Sequence, residues 1–194
     1  MNKKEPCAAG PSKWQRDFPQ FTLSWTTIFK RIKSISKQST LKEFFYKLAH
    51  RIVTTKKELH LYRIEENKSC HYCGDEDSLF HSFLGCHIAA DFLQNVLCWF
   101  NEKGNSSITL NSEEIPFWAA TENDNKISKK LNFYLLYAKF YFHFQKISQR
   151  AFNWDVLVRK LNFMLKIEGF AQLNLSPIVS QSKQNKTKIS ILLH

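Results

Sequence analysis

The chain has 194 residues, is 43% hydrophobic and carries 28 Lys/Arg against 17 Asp/Glu, a formal net charge of +11. That length and apolar content suffice for one sizeable core and favour a single domain. The polar start, Met1 to Lys13, lacks an apolar signal region, and the most apolar stretch, Leu131 to Phe144, contains Lys139 and His143 and is shorter than the ~20 residues of a membrane helix, so the reading excludes secretion and membrane spanning and expects an intracellular protein, cytoplasmic or nuclear.

Residues 1–13 read as a polar tail, and the domain is expected over 14–175. Pro19 limits the first helix, expected near 24–35, where Ser24 is a good N-cap and Trp25, Ile28, Phe29 and Ile32 recur at helical spacing. The second, 40–53, has the clearest pattern: Leu41, Phe44, Phe45, Leu48, Ala49, Ile52 and Val53 line one face, and Thr40 with Glu43 has the spacing of a capping box. Its other face carries Lys42, Lys47, His50 and Arg51. Thr55 and Glu58 repeat the box spacing and predict a short helix or turn through Leu61.

Cys70, Cys73, His81 and Cys86 follow, spaced C-x2-C-x7-H-x4-C within 17 residues. Three thiolates and one imidazole make a closed tetrahedral zinc shell with no position left for a catalytic water, which points to one structural Zn2+. Gly74 and Gly85 stand where the chain would bend around a metal and are free to take positive φ. Buried thiols without a metal are one rival reading, and a disulfide another; an odd count of five cysteines and a reducing compartment weigh against the second. His71 and His87 each adjoin a proposed ligand and are alternatives to His81. His71 falls inside the C-x2-C turn and is expected to point away, and His87 to start a helix. Cys7 and Cys98 are left out, the first in the polar tail and the second within a helix pattern.

Ala89, Phe92, Leu93, Val96, Leu97 and Phe100 predict a helix over 87–100 that starts directly after the last ligand and ends by Gly104. Residues 101–126, with Pro116 and Trp118, read as a loop. A long aromatic helix over 126–149 is apolar nearly all round and should be central; stacking of bases on its rings is the weaker alternative. Asn153 caps a last helix through Ile167, Gly169 takes the C′ position, and residues 176–194 form a polar tail. The fold class is therefore mostly α, a helical domain with one structural Cys3His zinc knuckle.

The charge is divided into blocks. Residues 1–60 hold 13 Lys/Arg against 4 Asp/Glu, residues 61–125 hold 3 against 11, and residues 126–194 hold 12 against 2. Two basic blocks are the footprint of a phosphate-backbone binder, of RNA or DNA alike. Lys42, Lys47, Arg51, Lys56 and Lys57 form one expected contact group, and Lys129, Lys130, Arg159 and Lys160 a second. Asp75, Glu76 and Asp77 make the knuckle acidic and set it apart from phosphate. Solvated lysine faces on a structural or protein-interaction module are the competing reading.

Taken in order, these motifs resemble the zinc-binding region at the carboxy-terminal end of LINE-type, non-LTR retrotransposon reverse transcriptases. The resemblance lies in Trp25 to Phe29, Leu41 to Val53, Cys70 and Cys73, Asp77 to His81, Gly85-Cys86, the helix ending in Trp99, and Leu135 to Lys139, and it covers about Trp14 to Asn174. It implies a module downstream of the polymerase that helps engage element RNA and target DNA, with the rest of such a reverse transcriptase as a partner. The chain has no paired-aspartate polymerase motif, no endonuclease constellation and neither half of the deaminase signature, so no enzymatic activity is expected. It looks like a separated or truncated fragment.

Overall fold

A computed structural model describes residues 9–19, 24–104 and 126–169. They form seven α-helices: α1 (Ala9–Asp17), α2 (Trp25–Ser34), α3 (Ser39–Ala49), α4 (Lys56–Leu61), α5 (His87–Gly104), α6 (Lys126–Ile147) and α7 (Trp154–Glu168). A single π-helical turn, His81–Gly85, precedes α5. Among the described residues there is no strand; the one β feature is an isolated antiparallel bridge between Ser69 and Glu76. The mostly helical fold class is borne out. Of the loop expected over 101–126, residues 101–104 continue α5 and Lys126 opens α6, while 105–125, the tail from 176 and Cys7 lie outside the described residues. No helix among those described is long and apolar enough to cross a membrane.

Apolar periodicity explains why α6 is central. Leu131, Phe133 to Ala138, Tyr141 and Phe142 are all buried, so its rings fill the core as expected of a helix apolar all round. Its aromatic positions meet Phe92, Phe100 and Trp99 of α5 and Phe44 of α3 at centroid distances of 5.3 to 5.5 Å. Such pairs add to the burial of apolar area that drives collapse.

The helix ends show where local signals were sufficient. Thr55 and Glu58 form the expected capping box, and the Asn153 carboxamide oxygen accepts from Val156 N at 3.0 Å. Gly169 ends α7 at φ +75. Ser24 occupies the N-cap of α2, but its hydroxyl pairs with Thr27 Oγ1 and not with a backbone amide. The expected box on Thr40 is not formed: the N-cap of α3 is Gln38, two residues earlier. A carboxylate from the far end of the chain serves that turn instead, with Glu168 accepting from Lys37 N at 2.8 and 2.9 Å and from the Ser36 hydroxyl.

The second helix also stops short of its expected end at Val53. Arg51 takes φ +58, its amide donates to Leu48 O at 3.0 Å and that of Ile52 to Lys47 O at 2.9 Å. Those two bonds are a Schellman motif closed by a non-glycine residue. Ile52 is thereby turned out to 60% exposure while Val53 remains buried. The ends of α4, at Arg63, and of α6, at Gln149, repeat the same pair of bonds with positive φ. Cys98, expected on an apolar helix pattern, is exposed.

The larger correction concerns the first residues. Positions 9–13 belong to α1 and not to a tail. Trp14 is buried and donates from Nε1 to Leu48 O at 3.2 Å, while the Arg51 guanidinium covers its ring at 4.8 Å. Gly10 lies so close to the end of α3 that a Cβ there would meet His50 Cα at 2.4 Å. Only glycine permits that approach of two backbones.

Candidate metal centre

The C-x2-C segment is shaped by backbone bonds. Cys70 N donates to Asp75 O, Gly74 N to Cys70 O and Asp77 N to Lys68 O, with Gly74 at φ +85 closing the turn. The expected positive φ is present at Gly74 but not at Gly85. At Gly85 an added Cβ would meet the Phe80 ring at 3.2 Å, a tight contact that this exposed side chain would have to relieve by shifting. The second pair of ligands is brought together by the π turn. Cys86 N donates to His81 O at 2.8 Å, a bond spanning five residues, which places His81 and Cys86 on one side of the backbone.

The result is convergence. The ligand atoms of Cys70, Cys73, His81 and Cys86 all lie within 4.8 Å of one another. Cys73 Sγ is 3.1 Å from His81 Nε2 and 3.9 Å from Cys86 Sγ. Metal–sulfur bonds of about 2.3 Å in a tetrahedron separate two sulfurs by roughly 3.8 Å, so the donors fit one cation. Burial pushes the Cys73 thiol up to about 12, although an Asp75 backbone hydrogen bond opposes it; burial raises the Cys86 thiol too, against a hydrogen bond from the Ala89 backbone. Buried thiols of this kind become thiolates when a cation replaces their protons. The cluster can therefore hold a metal ion.

Behind the ligands is a second, fully buried polar group. Asp77 accepts from Lys146 Nζ at 2.6 Å, from Ser82 Oγ at 2.7 Å and from Lys56 N at 3.1 Å, and Lys146 also donates to Ser82. This arrangement ties the knuckle, the π turn, α4 and α6 together. Tyr72 adds a further tie, donating to Arg150 O and packing on Phe142 at 4.8 Å. Asp77, grouped by sequence with Asp75 and Glu76 in one acidic run, is set apart from them by burial, and its carboxylate anchors α6 through Lys146. Of the other two, Glu76 is paired with Lys57 at 2.5 Å and Lys68 at 2.7 Å, and Asp75 is exposed.

The basic residues are less uniform than their sequence positions suggest. Lys47 is exposed and paired with Glu43, Lys42 is half-buried on the same helix, and Lys57 is exposed in its pair with Glu76. Arg51 is turned to Asp17 at 2.5 Å from its left-handed position at the end of α3. Lys56 is 7% exposed, held where its amide meets Asp77, and is removed from the contact group. In the second group Lys129 is exposed and Lys130 half-buried at the start of α6, Arg159 Nε donates to Asp155 O, and Lys160 covers the Tyr141 ring at 5.3 Å. His71 is exposed and outside the ligand cluster; His87 opens α5 and is exposed beside Cys73 and Asp75.

No protein-family model, no curated protein and no solved structure matches this chain.

Proposed function

We propose that the chain is a zinc-stabilised helical module that binds RNA or DNA through the phosphate backbone, of the kind found downstream of the polymerase in LINE-type reverse transcriptases. The observation that carries the reading is the closed, largely buried Cys3His donor set, whose first ligand pair is linked in sequence to lysines that remain exposed. Three sulfurs and one nitrogen at tetrahedral spacing suit Zn2+, a borderline-soft ion without a geometric demand of its own. A closed shell, with no position left for a catalytic water, supports a structural role for that ion. Lys42 and Lys47 on α3 and Lys129, Arg159 and Lys160 on α6 and α7 supply the phosphate contacts, with the remainder of a reverse transcriptase as the natural partner. Gel-shift titration of single- and double-stranded RNA and DNA at several salt concentrations tests it. Binding that falls steeply with salt is expected, and no binding at low salt refutes it.

A protein-interaction role is the second reading, and one observation favours it. Leu61, Tyr62 and Ile64, at the end of α4, are 75%, 68% and 70% exposed within four residues. Apolar side chains exposed together in this way, rather than singly, mark a candidate contact surface. In that case the chain shows no salt-dependent nucleic-acid binding.

A further inference from the structure

Cys73 belongs to two groups of ligand atoms. One is the Cys3His set; the other joins Cys73, Asp75 and His87, again within 4.8 Å of one another. The two groups differ in access. Cys70, His81 and Cys86 are buried, Cys73 is half-buried, and Asp75 and His87 are exposed. Cys73 Sγ is 3.6 Å from Asp75 Oδ2, so the carboxylate stands on the solvent side of the shared sulfur.

We infer that Cys73, Asp75 and His87 form an outer metal position through which zinc enters and leaves the buried site; the inference rests on the zinc reading above. Thiolate, carboxylate and imidazole are all zinc donors, and a three-ligand set leaves a position for water, as an ion arriving from solution requires. The Asp75 carboxylate offsets the positive end of α5, at whose first residue His87 stands. Transfer inward keeps the bond from the metal to Cys73 Sγ. Capture at the outer position displaces the Cys73 thiol proton to solvent; then the bonds to Asp75 oxygen, His87 nitrogen and water break, bonds to Cys70 Sγ, Cys86 Sγ and His81 Nε2 form, and the thiol protons of Cys70 and Cys86 pass to solvent as well. No oxidation state changes. The ion is thus never without protein ligands while it sheds its water, and the same sequence in reverse releases it.

A path used in both directions changes rate and not affinity. The test is exchange between the zinc-loaded full chain and free zinc enriched in a different stable isotope, followed by mass spectrometry. The double variant Asp75→Asn, His87→Gln is expected to exchange about tenfold more slowly or slower still, with one zinc per chain and competitive affinity both unchanged. Glu76→Gln, which removes a neighbouring charge outside the group, should exchange at the parent rate; slowing equal to that of the double variant would mean charge attraction alone and overturn the outer site. So would parent-like exchange in the double variant, or faster release with weaker affinity, which would make Asp75 and His87 supports of the inner site. His87→Gln alone, which leaves the Asp75 backbone turn untouched, repeats the measurement should the double variant lose zinc. A parent chain that holds no zinc refutes the zinc reading and the outer site together, whereas a loaded parent with an unaltered variant refutes the outer site only.

Discussion

Lys146 Nζ lies 2.6 Å from Asp77 Oδ1, with both side chains sealed from solvent, Asp77 within the metal segment and Lys146 in α6 beyond α5. Burial by itself would raise the Asp77 carboxyl, but the Lys146 ammonium, aided by Ser82 and the Lys56 amide, outweighs it and holds the group below the ordinary carboxylate value. Removing one partner leaves a buried charge uncompensated. Asp77→Asn or Lys146→Met should therefore cost about 3–5 kcal/mol in urea unfolding, and the double replacement Asp77→Leu, Lys146→Met should recover much of it.

The same pair fixes an acid dependence. A carboxyl depressed in the folded state contributes stability that is complete above its unfolded value, about 4, and is lost as pH falls through the lower folded value. Unfolding midpoints measured from pH 6 downward should fall in that range for the parent. The double apolar variant should lack that component.

Lys139 predicts the opposite window. Buried in α6, its ammonium is lowered to about 7 by loss of water, against about 10.4 in the unfolded chain. The unfolded state binds the extra proton between those values, so stability should rise with pH from about 7 to 10. Lys139→Met should flatten the rise and increase stability at neutral pH. An unchanged profile in that variant would show that another group is responsible.

Metal removal should be felt across the scaffold. Chelation, or Cys86→Ser, is expected to lower zinc content from about one per chain and to reduce helicity, because a structural ion's binding energy is folding energy. An ion at the Cys3His cluster would draw together segments that also hold α4 and α6. Elemental analysis with circular dichroism on the same sample measures both effects.

The first helix should prove part of the fold. Trp14→Ala is expected to cost about 3–5 kcal/mol through lost burial, and Gly10→Ala about 1–3 kcal/mol through overpacking against His50. Denaturant midpoints at unchanged slope test both. A midpoint unmoved by the Gly10 replacement would return residues 9–13 to a tail, and one unmoved by the Trp14 replacement would deny that the buried ring supports the fold.

Charge reversal at Lys42 and Lys47 should weaken nucleic-acid binding to every sequence alike. It should also shallow the salt dependence on duplex DNA, by about 0.9 for each phosphate the chain no longer neutralises. Arg51, engaged with Asp17 and Trp14, is kept so that folding and binding are not confounded.

Much of the architecture was legible from periodicity. Helices α2, α3, α5 and α7 each repeat apolar residues at 3.6-residue spacing, a local signal any amphipathic segment must carry, α6 shows as a long run apolar nearly all round, and the Cys3His cluster was legible because metal chemistry restricts residue type and spacing together. Helix ends were legible where a side chain caps locally, as at Thr55 and Asn153. They were not at the end of α3, where Arg51 takes a left-handed conformation usually marked by glycine, nor at its start, whose turn is held by Glu168.

Sequence by itself thus determined the helical class, the central place of α6 and the identity of the donor set. Tertiary structure decided which charges are surface and which are scaffold. Asp77 and Asp75 are two residues apart in one acidic run, and Lys56 and Lys57 are adjacent, yet one of each pair is buried and the other exposed. Burial of a charge depends on partners supplied from distant segments, here Lys146 for Asp77, and no local pattern carries that information.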